Sequence, residues 1–281
     1  MQVQNVGVEQ SVPFSELKIQ AAQGVLVVPV DQLAPRDETT DRALVAAFSS
    51  EYNQAAGPSA SLGGAGQPDE GPPLVLESRG GQITVTSGQA ALEVQFYGGH
   101  QKDADECRGY FAEKMLALLK AWNDVGARPV WATIIITLKA SFGAEQDKAG
   151  AHMRDSYLAD GLSDDAVYDL KAQLGIRVAD HYFVNLGVSP YEAKQVKRSG
   201  LGASNLAAVI RPWEGEITDA GIDLVVEVNN RLRADVLRQH TRVDEDELRE
   251  MNGLSWDFVA HVATPFVRDG ELDLSHVQAL A

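Results

Sequence analysis

Residues 221–233, "GIDLVVEVNNRLR", hold the densest mixture of amide, guanidinium and carboxylate groups in the chain. If Leu224, Val226 and Val228 of this strand-like run face inward, then Val225, Glu227 and Asn229 face the other way, and its end presents Asn229, Asn230, Arg231 and Arg233. Such a set suits a carboxylate or another polar ligand, because guanidinium groups can hold carboxylates through paired hydrogen bonds. The residue types favour a plainer reading, an Asn-Asn turn followed by solvated arginines. His181, in "ADHYFVN", alternates with Tyr182 and so reads as lying on one face of a strand, where a hydrogen-bonded structural histidine is the common outcome.

Cys107 opens a helical pattern, where the positive end of the helix dipole would favour a thiolate nucleophile, and His100 stands seven residues before it. Yet Cys107 shares its helical face with Phe111 and Trp122, which favours a small core side chain. The six histidines, His100, His152, His181, His240, His261 and His276, show no HxH, HExxH or HxxxH spacing, so no transition-metal site has a local signature. Three acidic clusters, at 103–106, 160–165 and 244–247, offer oxygen ligands for a divalent cation. Each stands at an expected helix start, where carboxylates interact with unpaired backbone N–H groups, and the capping reading is preferred. Phosphate-cradling GxxxxGK[ST] and nucleophile-elbow GxSxG motifs are missing, and no cofactor is expected.

These groups need a scaffold, and 281 residues suffice for one large domain or two small ones, since single cores stop growing near about 250–300 residues. The strongest break in composition is "AAGPSASLGGAGQPDEGPP", from which a linker or long loop over 57–73 is expected, separating a strand–helix segment at 1–56 from the rest. Weaker breaks fall at 141–153 and 198–205. In the first segment "GVLVVPV" reads as a strand that Pro29 confines to a sheet edge or ends. Residues 39–54 then read as a helix capped by Thr40, with Leu44, Val45, Phe48 and Tyr52 on one face.

The unit at 74–143 starts with three alternating runs joined by short Gly-containing connections, an antiparallel meander. A helix over 103–122 follows, with Cys107, Phe111, Met115, Leu118 and Trp122 on one face, and then the long strand "RPVWATIIITLKASF". The unit at 154–281 reads as a helix over 164–174 ended by Gly175, strands at 177–187, 205–213 and 221–229, a helix entered at "SPYE", and a last helix carrying Leu248, Met251, Ser255, Phe258 and Val262. The expected class is α+β, an antiparallel sheet covered by helices. The order allows two related β-rich plus helix halves, while 74–281 can also be one domain.

The element order and the runs "LVLES", "ITVTS", "LEVQFYGG", "PVWATIIITLKASF" and "DLVVEVNNR" resemble a sporadically distributed bacterial family of roughly this length with no assigned function. The sequence departs from it at "ITLKASF", where the family would carry an arginine-tyrosine-asparagine run. The resemblance implies a bacterial protein and brings no catalytic residues.

A net charge of −16, from 40 acidic against 24 basic residues, argues against nucleic-acid phosphate as the partner. The longest apolar runs reach about seven residues against about twenty for a membrane span, and the N-terminus has no signal-peptide pattern, so the expected compartment is the cytoplasm. The preferred function is a noncatalytic binding or interaction protein, with itself or another protein as partner. Trp131, Trp213 and Tyr97 are its expected exposed aromatics. The alternatives are an enzyme with a site between the halves, using Glu227, Asn229 and Arg231 with His181 or an acidic cluster, with or without a divalent cation, on a small polar or anionic substrate, and a bacterial or phage assembly component.

Overall fold

Alternating apolar runs need partners on both sides to seal one face, and among the described residues they meet in a single sheet of nine strands. The structure, a computed structural model, describes residues 17–29, 36–54, 73–144, 146–157, 170–178, 181–195, 216–233 and 241–275. The strands are β1 (Lys18–Val27), β2 (Asn53–Gln54), β3 (Leu74–Ser78), β4 (Gly81–Val85), β5 (Gln89–Gln95), β6 (Trp131–Ser141), β7 (Ala172–Val178), β8 (Tyr182–Gln195) and β9 (Glu216–Asn229). They pair antiparallel throughout in the order β2-β3-β4-β5-β1-β6-β9-β8-β7. The fold is α+β.

One register line explains the core. Leu76, Ile83, Leu92, Gly24, Ile134, Val228, Val184 and Ile176 lie opposite one another across eight consecutive strands. Directly opposed residues share a face, so this line forms a continuous apolar band under the helices. Its single gap, Gly24, is filled by α2 (Ala104–Asp124), because a Cβ there would stand 2.2 Å from Met115 Sδ. The other helices are α1 (Glu38–Phe48), α3 (Gln146–Tyr157), α4 (Glu245–Phe258) and α5 (Thr264–Asp269). α2 packs on β5 and β1, α4 on β9 and β6, and the two helices meet each other. The long helices thus follow β5 in one half of the sheet and β9 in the other.

Strands from 1–56, 74–143 and 154–281 all enter this sheet, and β1 lies at its centre between β5 and β6. Pro29 is compatible with that place because β1 ends at Val27, before the missing N–H would interrupt pairing. α1 starts earlier than its Thr40 signal suggests: Asp37 is the cap, and its carboxylate accepts the Thr40 N–H at 2.8 Å. The faces expected for α2 and α4 are buried, including Cys107, Phe111, Met115, Leu118, Trp122, Leu248, Met251, Ser255, Phe258 and Val262. In α1 Leu44 and Phe48 are buried and Val45 is half-buried, but the helix expected to reach residue 54 ends at Phe48, and Asn53–Gln54 pair with β3 as β2.

Three local signals yield to tertiary pairing, and a fourth gives way to a helix. Ala172–Leu174, expected as the end of a helix, begin β7, with Gly175 opposite Asn185. The single strand expected over 177–187 is a hairpin, and His181 stands in its turn. "SPYE" opens no helix: Ser189, Pro190, Tyr191 and Glu192 pair with Asp223, Ile222, Gly221 and Ala220 of β9. Pro190 lies beyond the last β7 pair, Ala172↔Val188, where its missing donor costs no described ladder bond. The break at 141–153 is largely helix, since α3 starts at Gln146.

The last helix changes pitch. After Phe258 a π turn spans Val259–Ala263, in which the Thr264 N–H reaches back five residues to Val259 O, and α5 restarts at Thr264. Pro265 has no N–H for an ordinary helical bond, and the wider turn admits it at the first positions of α5. Residues 57–72 of the linker expected over 57–73, residues 164–169 of the helix expected over 164–174, the break at 198–205, the strand expected at 205–213, the acidic cluster at 160–165, Trp213, His240 and His276 lie outside the described residues.

Candidate functional site

The polar end of β9 divides between the two faces of the sheet. Asn230, fully buried, accepts the Ala132 N–H of β6 at 2.9 Å through Oδ1, while its Nδ2 donates to Glu247 Oε1 at 2.9 Å and to Val130 O at 3.4 Å. Arg233 completes this knot with a 2.6 Å bond from Nη2 to Glu247 Oε2. Glu247 sits in the first turn of α4, capped by Asp244, whose Oδ1 accepts the Glu247 N–H at 2.9 Å. Asn230, Arg233 and Glu247 therefore tie β9, β6 and α4 together on the covered side.

On the opposite face, Asn229 donates to Glu227 Oε1 at 2.9 Å and its Oδ1 accepts the Arg231 N–H at 3.1 Å. The Arg231 guanidinium lies 5.8 Å from the centre of the Trp131 ring. His181 is exposed, and Phe183, two residues on, is the β8 partner of Asn229, which puts His181 at the same end of the sheet. Of the six residues singled out in the sequence, Glu227, Asn229, Arg231 and His181 thus share one end of the open face. Asn230 and Arg233 point to the other side.

A more concave arrangement lies at the far half of the molecule, where β5 runs into α2. Gly98, at φ 63°, turns the chain out of β5 into a short 3₁₀ turn over Gly98–Lys102, and α2 begins under the Asp103 cap. This corner encloses a cleft of about 520 Å³ lined by Gly80, Val94, Gln95, Phe96, Tyr97, His100, Glu106, Cys107, Tyr110 and Glu113. Val94, Phe96 and Cys107 are buried and give it an apolar floor. Tyr97 and Tyr110 rim it, 57% and 43% exposed. Glu106, Tyr110 and Glu113 fall four and three residues apart, so α2 presents them as one stripe.

The side chains of the cleft are held in place. The Cys107 S–H donates to His100 O at 3.1 Å, and the same carbonyl accepts the Asp103 N–H at 3.2 Å, fixing the 3₁₀ turn to the start of α2. His100 Nδ1 lies 2.7 Å from Glu106 Oε1, and this hydrogen bond and charge raise the imidazole pKa above its usual 6.5. Tyr97 donates its hydroxyl proton to Gln95 Oε1. Lys114, itself buried, has its Nζ 5.2 Å from the centre of the Tyr110 ring and pairs with Glu51 at 2.7 Å and Glu113 at 3.4 Å.

Burial pushes the Cys107 thiol up to about 11, helped by the charges of Glu106 and Asp103. The thiolate that the helix start would favour is overridden by loss of solvent and by two carboxylates at the same helix end. Cys107 is thus a packed thiol and a positioning group for His100. Asp103 and Asp244 each accept a backbone N–H three residues on, so the two described acidic clusters cap their helices. Among the described residues, no group of three or more His, Cys, Asp or Glu is placed to hold a metal ion, and no helix is long and apolar enough to cross a membrane.

No family model and no curated protein matches this chain.

Tyr97 is legible as an exposed aromatic in the sequence, but Tyr110 and the acidic stripe beside it are not singled out there. Their signal is an aromatic one residue off the apolar stripe of α2, next to Phe111 and flanked by Glu106 and Glu113. Only the corner that folds β5 back against α2 makes that edge one wall of a cleft.

Proposed function

We propose that this chain is a noncatalytic binding protein whose docking site is the cleft between the end of β5 and α2. The observation that carries the reading is the concentration of exposed aromatic surface. Four large hydrophobic side chains, Tyr97, Tyr110, Val225 and Leu272, are exposed among the described residues, and two of them rim the same cleft over an apolar floor. Tyrosines deliver large contact area at low conformational cost and are enriched at the centres of protein interfaces. The only thiol in the cleft is held protonated at neutral pH by its burial, which favours recognition over nucleophilic chemistry. A protein partner is preferred to a phosphate-bearing one because carboxylates line the site and the chain carries −16 overall.

The test is a photo-crosslinking side chain placed at Tyr97 or, as a control, at Val225 on the open sheet face, with irradiation in the native cell. A discrete adduct from position 97, lost when Tyr110→Ala is added and not formed from position 225, is expected. Equal adducts from both positions, or none from 97 at normal expression, would remove the cleft as the docking site.

A further inference from the structure

The cleft does not end at Gln95. Gly80 and Gln95 also line a shallower trough of about 230 Å³, whose other walls are Glu77, Ser78, Arg79, Gly81, Gln82 and Glu93. The two depressions adjoin at Gly80 and Gln95 in a groove that bends around the strand ends, from Glu77, Gln82 and Glu93 on the open face of the sheet to Val94 and Phe96 on the side covered by α2. Its charged walls are four carboxylates, Glu77, Glu93, Glu106 and Glu113, against one guanidinium, Arg79, and the His100 imidazole. Neutral amides of Gln82 and Gln95 bond to Glu77 and Glu93 at 3.2 and 3.1 Å, orienting these carboxylates without cancelling their charge.

We infer that this groove takes a basic segment of a partner protein, with a Lys or Arg side chain seated against Tyr97 and Tyr110 and its charge met by Glu106 and Glu113. The inference rests on the docking role proposed above and names the chemistry of the occupant. The molecule already holds one cation in this manner: Lys114 rests over the Tyr110 ring while Glu113 and Glu51 pair with its ammonium. Beside them the groove adds a second ring, Tyr97, and a second carboxylate, Glu106, with no lysine or arginine among the lining residues of the larger depression. Long basic side chains suit it twice over, since their methylenes cover the floor of Val94, Phe96 and Cys107 while the head reaches the acidic rim. An acidic occupant would meet the like charges of Glu106 and Glu113, whereas a cationic one adds to the neutralisation that His100 and Lys114 begin.

The experiment measures anisotropy of labelled decapeptides of alternating Ala and Arg, Ala and Gln, or Ala and Glu at about 0.15 M salt, where charges more than about 8 Å apart are largely screened. Only the Arg peptide is expected to bind. Its affinity should fall about tenfold in Tyr97→Ala and in the double variant Glu106→Gln/Glu113→Gln, the size of losing one desolvated cation–π contact or close ion pair. The control double variant Glu245→Gln/Asp246→Asn, which removes two exposed charges from the start of α4, should stay within about twofold of wild type, as distant surface charges do. Equal weakening by both double variants would mean diffuse attraction to an acidic surface, and no binding of the Arg peptide would also overturn the inference. If the Gln peptide binds and loses its affinity in Tyr97→Ala, the docking role stands and the cationic assignment falls. Circular dichroism of each variant excludes unfolding as the cause.

Discussion

At the scale of single residues, the buried polar groups separate by what they leave behind when removed. Asn230 satisfies the Ala132 N–H and meets Glu247 inside the protein, so Asn230→Ala strands a donor and half of a carboxylate pairing. A loss of about 2–4 kcal/mol in urea unfolding is expected, against about 1 kcal/mol for Asn229→Ala, at a buried residue whose hydrogen bonds to Glu227 and Arg231 are only part-buried. Asn230→Asp should be worse than alanine, because it sets a second carboxylate against Glu247. Cys107 gives a prediction in alkali. Its folded pKa is raised from 9.0 to about 11, so the unfolded chain ionises first as pH rises. The contribution of the thiol is complete below pH 9 and is lost as pH climbs toward 11, by about 2–3 kcal/mol relative to Cys107→Ala. A stability difference between the two proteins that stays flat from pH 8 to about pH 11 would contradict the burial argument.

Among the elements, the contact between β1 and α2 decides how the helix lies on the sheet. A side chain at Gly24 would occupy the space of Met115, so Gly24→Val is expected to cost about 2–3 kcal/mol by overpacking. The obstacle is the end of a flexible side chain, and adding Met115→Ala should recover at least about 1 kcal/mol, a coupling readable in a double-mutant cycle. Gly221 offers the contrast. A Cβ there would stand 2.0 Å from the Ala140 backbone carbonyl, so Gly221→Ala should have no side-chain rescue. The bridge from Arg108 to Asp257, 3.1 Å between α2 and α4, is 40% and 36% exposed, and its removal should change stability by less than about 1 kcal/mol.

For the molecule as a whole, charge sets the field that any partner meets. A duplex DNA of arbitrary sequence is expected to stay unbound at about 0.15 M salt; a dissociation constant tighter than about 10 µM by anisotropy would contradict that expectation. Architecture and charge are also where sequence reading succeeds or stops. The meander, the long strand β6, the inward alternation of Leu224, Val226 and Val228, and the buried faces of α1, α2 and α4 were legible, because each rests on a repeat of two or of three to four residues within one segment. Capping by Asp103 and Asp244 was legible for the same reason: donor and acceptor are three residues apart.

What the sequence could not decide depends on register between distant strands. Local rules placed Ser189–Glu192 at a helix start, but fourteen residues of β9 require a partner, and pairing with β8 outweighs a capping motif. The polar end of β9 was visible as a cluster, yet its members alternate across the sheet, so Asn230 and Arg233 join a buried knot with Glu247 while Glu227 and Asn229 look outward. The cleft depends on the same kind of event. Tyr97 and Tyr110 stand on different elements, and no periodicity relates them; the turn at Gly98 and the Cys107–His100 latch bring the two walls together. Composition and spacing determined which segments could hide a face. The tertiary structure decided which polar and aromatic groups met once those faces were hidden, because that depends on loop closure and strand register, which short-range spacing does not encode.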